Sequence, residues 1–130
     1  MDELAQIKKK KLQQMMNKLK EDGLKMDVTD KDFEEKVIKA SEEKLVLVDF
    51  WAAWCVPCNM LTPLLEKVAE SYGNKVELVK INVDEAPQTA GRFAINAIPA
   101  VKLFKDGKEA GESIGVVPED NIRRLIDGNL

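Results

Sequence analysis

The sequence predicts a single α/β domain preceded by a basic helical extension. The chain of 130 residues is long enough for one sizeable core and short for two. From Leu24 onward, short apolar runs of strand character alternate with segments of helical period. Charge is also divided along the chain. Residues 1–20 carry six lysines against Asp2 and Glu3, a balance of +4, whereas the remainder holds 14 basic and 21 acidic residues, a balance of −7. The expected division is therefore an extension over residues 1–23 and a domain over 24–130.

Residues 2–21 read as one helix whose apolar positions fill about half the circumference, interrupted by Lys8 and Lys11. Gly23 supplies its stop. "LKMDV" is a short strand, and Thr29 or Asp30 caps a helix over 31–41 with Phe33, Val37 and Ile38 as its buried stripe. "KLVLVDF" is apolar at consecutive positions, as in a strand covered on both faces. A helix over 56–72 follows, with a kink expected at Pro63. "KVELVKINV" is a further strand and "DEAPQTAGRFA" a short helix. "AVKLF", "KDGK" and "EAGESIG" form an antiparallel hairpin. Pro118 at the first helical position opens the last helix, which buries Ile122, Leu125 and Ile126.

Composition narrows the function. Hydrophobic residues at 45% and charged residues at 33% are those of a folded globular chain. No apolar run is long enough to span a membrane, and the N-terminus lacks a secretory signal's apolar core, so a cytoplasmic location is expected. The acidic body repels phosphate, which argues against nucleic acid as a partner. The four lysines at 8–11 suit an acidic partner, an anionic membrane or RNA, or else a solvated helix resting on the acidic body.

The chemistry concentrates in "VDFWAAWCVPCNML". It holds both cysteines of the chain, Cys55 and Cys58, and the chain has no histidine. A reducing compartment disfavours structural disulfides, and a close pair there is more often catalytic or metal-binding. Cys55 is expected just past the carboxyl end of a central strand, at a helix mouth, where open α/β sheets place their sites. Residues three apart in a first helical turn can form and break a disulfide with little backbone movement. So small a loop stabilises the fold little, which favours exchange chemistry over stapling.

The two thiols are not equivalent on this reading. Free amides and the helix dipole favour thiolate at Cys55, the attacking sulfur, while Cys58 stays protonated until it resolves the mixed disulfide. With no histidine to take that proton, Asp49 is the candidate acceptor, its pKa raised by burial among apolar neighbours. A hydrated aspartate at a strand end is the alternative.

These segments, with "KINVDEAP", "FAINAIPAVKLFKDGK" and the late Gly115, resemble the thioredoxin family in order and spacing from about Val28 to the C-terminus. The resemblance implies a thioredoxin fold, a central mixed sheet flanked by helices, and a thiol–disulfide oxidoreductase that reduces protein disulfides without a bound cofactor. It implies a cis Ile98–Pro99 bond beside the Cys55 sulfur, and Lys80 near Asp49 as a tuning charge. Trp54 and Trp51 would flank the dithiol, with Val56 and Pro57 between the cysteines. Ala97, Ile98, Ile114 and Gly115 would form a shallow groove for an extended client chain. Disulfide-containing client proteins and a thioredoxin reductase as electron donor are the implied partners, and a monomer the expected state.

The chain departs from the family pattern at Val56 for glycine, Asn59 for lysine, Ala100 for threonine and Asn96 for a basic residue, which bears on reduction potential and client choice. Other readings stay open. Trp51 could serve core packing, and Lys80 could extend into solvent. The cysteines could hold zinc between two chains, although a closed site needs four ligands. The fold could be a non-redox scaffold, or the same site could oxidise or isomerise disulfides.

Overall fold

The computed structural model describes residues 26–130. The helix expected at 2–21, and with it the boundary at residue 23, lies outside the described residues. Five strands form one mixed sheet: β1 (Met26–Asp27), β2 (Leu45–Trp51), β3 (Val76–Asn82), β4 (Ala100–Lys105) and β5 (Lys108–Ile114). Their order is β1-β3-β2-β4-β5, with β1 and β2 parallel to β3, and β4 antiparallel to both β2 and β5. The helical segments are α1 (Glu34–Lys39), α2 (Val56–Ser71), α3 (Pro87–Arg92) and α4 (Glu119–Asp127).

β2 lies at the centre of the sheet, and its alternation organises the core. Leu45 and Leu47 point to one face, where they pack with Leu61, Leu65 and Val68 of α2 and Ile122 and Ile126 of α4. Val46, Val48 and Phe50 point to the other, against Phe33, Val37, Ala86 and Phe104. Both faces are covered, which explains the unbroken apolar run. Each of these side chains other than that of Ala86 contributes about 1.5–3 kcal/mol when fully buried. Asp49 continues the row of Leu45 and Leu47, so it is directed at α2. It pairs with Lys80 on β3 and with Val101 on β4.

Some boundaries differ from expectation. The segment expected as a regular helix over 31–41 has the wide turns of a π-helix at α1 and tightens into a 3₁₀ turn at Ala40–Glu42. Helix α2 does run through Pro63 as expected, ending at Ser71. Pro118 precedes α4 as its cap, because its ψ of 151° is extended and the helix starts at Glu119. The β4–β5 hairpin turns on Asp106 and Gly107, both at positive φ, as a two-residue Asp-Gly turn requires.

Helix α2 runs away from the carboxyl end of β2 and is fastened to α4 at its far end. There the Arg123 guanidinium donates to Ser71 Oγ at 3.1 Å, and the Tyr72 hydroxyl donates to Asp127 Oδ1 at 2.7 Å. A depression at that end is lined by Leu45, Lys75, Lys105 and Asp106, at the opposite rim of the sheet from Cys55.

Candidate active site

β2 ends at Trp51, and the chain turns through the buried Ala52 into α2. The Cys55 amide donates to the Ala52 carbonyl at 3.1 Å, closing the turn. Cys55 has extended dihedrals and is the N-cap of α2, with Pro57 in the first turn, where a missing N–H removes no helical bond. The Cys58 amide donates to Cys55 Sγ at 3.3 Å. A disulfide joins the two cysteines, whose Cα atoms are 5.3 Å apart. Cys55 is 4% exposed and Cys58 1%, so both residues are buried, the capping one slightly less so. Ala52, Trp51, Val83 and Ile98 pack around the pair.

Asp49 is fully buried beneath this turn. Its Oδ2 accepts the Thr62 hydroxyl at 2.7 Å, while Oδ1 has no hydrogen-bond partner among the described residues. Burial pushes the carboxyl from 3.8 up to about 6, against the lowering pulls of the Thr62 hydrogen bond and the Lys80 charge; Glu66 adds to the rise. Lys80 is half-buried and sets its Nζ 4.9 Å from the centroid of the Trp51 ring. The hydrated-aspartate alternative does not hold in this structure.

Of the expected client-facing residues, Trp51 and Ile98 pack against the dithiol. The Ile98–Pro99 bond is cis. The Pro99 carbonyl accepts the Gly115 amide at 2.8 Å, and Gly115 has a φ of 84°, a conformation that favours glycine. This bond holds the strand-end segment of Gly115 against the Ile98–Pro99 loop. Ala97 and Ile114 line one shallow depression with Asn96 and Glu112. Trp54 is 68% exposed, yet fixed in direction because its indole N–H donates to Asp84 Oδ2 at 2.9 Å. Val56 is exposed on the first turn of α2.

Sequence reasoning missed four contributors. Asp84 orients Trp54 from 30 residues away. Met60, one turn after Val56, and Val116, next to Gly115, add exposed apolar surface. Thr62 holds Asp49, and only its i+4 spacing from Cys58 in a helical pattern could have drawn notice. Among the described residues no group of three or more histidine, cysteine or acidic side chains is arranged to hold a metal.

Residues 25–128 match the family model described as Thioredoxin. The chain belongs to the thioredoxin family. It is 41% identical over 104 residues to a thioredoxin of Rickettsia bellii, an alignment covering 80% of this chain and 97% of that one. A thioredoxin of Staphylococcus aureus is 42% identical over 103 residues, covering 79% and 95% respectively. A member with an intact Cys55–Cys58 pair is a thiol–disulfide oxidoreductase, a disulfide reductase. Thioredoxins need no cofactor, because the redox group is the cysteine pair itself, and the family implies disulfide substrates and a thioredoxin reductase. No helix among the described residues is long and apolar enough to cross a membrane.

Proposed function

We propose that this chain reduces disulfides in other proteins of the cytoplasm, as a monomer, with the residues above in distinct roles. The carrying observation is Cys55 at the N-cap of a 16-residue helix, with the Cys58 amide directed at its sulfur. Once the pair is reduced, that amide and the helix dipole favour thiolate at Cys55. The thiolate attacks a client disulfide, forming a mixed disulfide and releasing one client thiolate. Asp49 takes the Cys58 proton, and the Cys58 thiolate then attacks Cys55 Sγ. The Cys55–Cys58 disulfide forms, the second client thiolate leaves, and two electrons have passed to the client.

Lys80 tunes Asp49 through its charge. Pro99 positions the loop beside the dithiol. The extended client backbone lies along Ala97, Ile98, Ile114 and Gly115, with Trp54, Trp51, Val56 and Pro57 framing the dithiol. Residues 24–130 are the catalytic unit and residues 1–23 an appended segment. The −7 balance beyond residue 20 supports protein clients over nucleic acid.

A redox equilibrium against dithiothreitol, read by tryptophan fluorescence, tests the direction of the reaction. A potential close to about −270 mV is expected, and one in the range of about −180 to −120 mV would assign oxidation or isomerisation instead. Cys58→Ser should accumulate a mixed disulfide at Cys55. A trapped adduct in Cys55→Ser, and none in Cys58→Ser, would reverse the two roles.

A further inference from the structure

Thr62 lies one helical turn beyond Cys58, on the side of α2 that faces β2. Its Oγ1 is 2.7 Å from Asp49 Oδ2 and 3.0 Å from the Cys58 carbonyl oxygen. A hydroxyl has one proton and two lone pairs, so it can donate to only one of these acceptors at a time. When Asp49 is a carboxylate it only accepts, and the Thr62 proton is directed at Oδ2. When Asp49 is a carboxylic acid it can donate to Thr62 Oγ1, and the Thr62 proton turns to the Cys58 carbonyl. Both arrangements are hydrogen-bonded, and neither requires a heavy atom to move.

We propose that Thr62 is a positioning residue for dithiol exchange, its hydroxyl keeping the buried Asp49 carboxylate ready to receive the Cys58 proton. This rests on the assignment of Asp49 as proton acceptor. Among the described residues Thr62 is the one hydrogen-bond donor to the Asp49 side chain, whose other oxygen is unpartnered. Lys80 on β3 favours the anion by charge alone, and Glu66 on α2 opposes it. The β4 neighbour in register is Val101, which carries no charge. Without the hydroxyl, a fully buried carboxylate would have no hydrogen bond, and the acid form would persist to higher pH.

The test uses the full chain with Thr62→Val, which keeps the shape and removes the hydroxyl, and Thr62→Ser, which restores it. Asp49 is followed by carboxyl NMR in the reduced protein, and the rate of client disulfide reduction is measured across pH. Thr62→Val should raise the Asp49 midpoint by about one pH unit or more, on the strength of a hydrogen bond to a charged group. The acid limb of the rate profile should move with it, giving an about tenfold loss below the native midpoint and little loss in alkali. Thr62→Ser should keep both native values.

An unmoved midpoint overturns the proposal. So does an even loss of rate at all pH values, which marks a merely structural effect. Protonation of the attacking Cys55 adds an acid limb of its own in every variant, so the readout is the change from the native profile. A limb moved by Asp49→Asn but unmoved in Thr62→Val sinks the Thr62 role alone. A profile in Asp49→Asn identical to the native one sinks the proton-acceptor assignment, and the Thr62 role with it.

Discussion

Replacing Asp49 by asparagine tests whether burial holds this carboxyl away from its ordinary value. An acid raised from 3.8 to about 6 on folding binds its proton more tightly in the native chain than in the unfolded one. The stabilisation from protonation is therefore fully present below pH 3.8 and is lost as pH rises through about 6. The whole span is worth about 3 kcal/mol, at about 1.4 kcal/mol per pH unit. About 2.5 kcal/mol of this falls between pH 4 and pH 8. Asparagine does not titrate, so the stability of Asp49→Asn relative to the native chain should climb by that amount over the same interval. Any fixed packing effect of the new amide cancels in the comparison. Urea unfolding of the oxidised chains at both pH values, at one ionic strength, measures it. A difference that changes by less than about 0.5 kcal/mol would refute the desolvation argument. A change of opposite sign would mean that the fold stabilises the anion.

Two further substitutions address the scaffold. Leu65→Ala removes a fully buried side chain between α2 and the sheet and should destabilise by about 2–5 kcal/mol, lowering the melting temperature by more than about 10 °C; a drop of a degree or two would mean that the core refills the space. Asp30→Ala should lower the melting temperature at pH 7. Asp30 accepts from Thr89 Oγ1 at 2.6 Å and from the Thr89 and Gln88 amides at 2.8 and 3.2 Å, bonds that hold its carboxyl below the usual value. The native advantage is fully present above pH 3.8 and should vanish as pH falls through the depressed value, which thermal melts across acid pH will show.

The parts of the fold carried by local pattern were legible in the sequence. An unbroken apolar run marked β2 as central, Asp106-Gly107 marked the hairpin, and a helical pattern from residue 56 marked the helix at the cysteines. The apolar neighbours of Asp49 in the same run also pointed to its burial. What escaped was set by tertiary partners. The Trp54–Asp84 bond spans 30 residues and the Thr62–Asp49 bond 13, and neither has a local signature. The π-type widening of α1 and the shift of Pro118 from first helical residue to cap are adjustments of a turn, finer than hydrophobic period can resolve. The cis bond at Pro99 followed only from family resemblance, and the pairing of Gly115 with its carbonyl, across 16 residues, has no local signature.

The fastening of α2 to α4 by Ser71, Tyr72, Arg123 and Asp127 divides the domain into an anchored base and a working rim. Sixteen residues of helix separate the two by about 24 Å. Lys75 and Lys105 are exposed at the base, on the rim of the sheet opposite the dithiol. A linker to an electrode or a resin at either lysine would hold the chain by the end where α2 is fastened to α4 and leave the Cys55–Cys58 face turned outward. The same attachment at Val56 or Met60 would bury the sulfurs against the support.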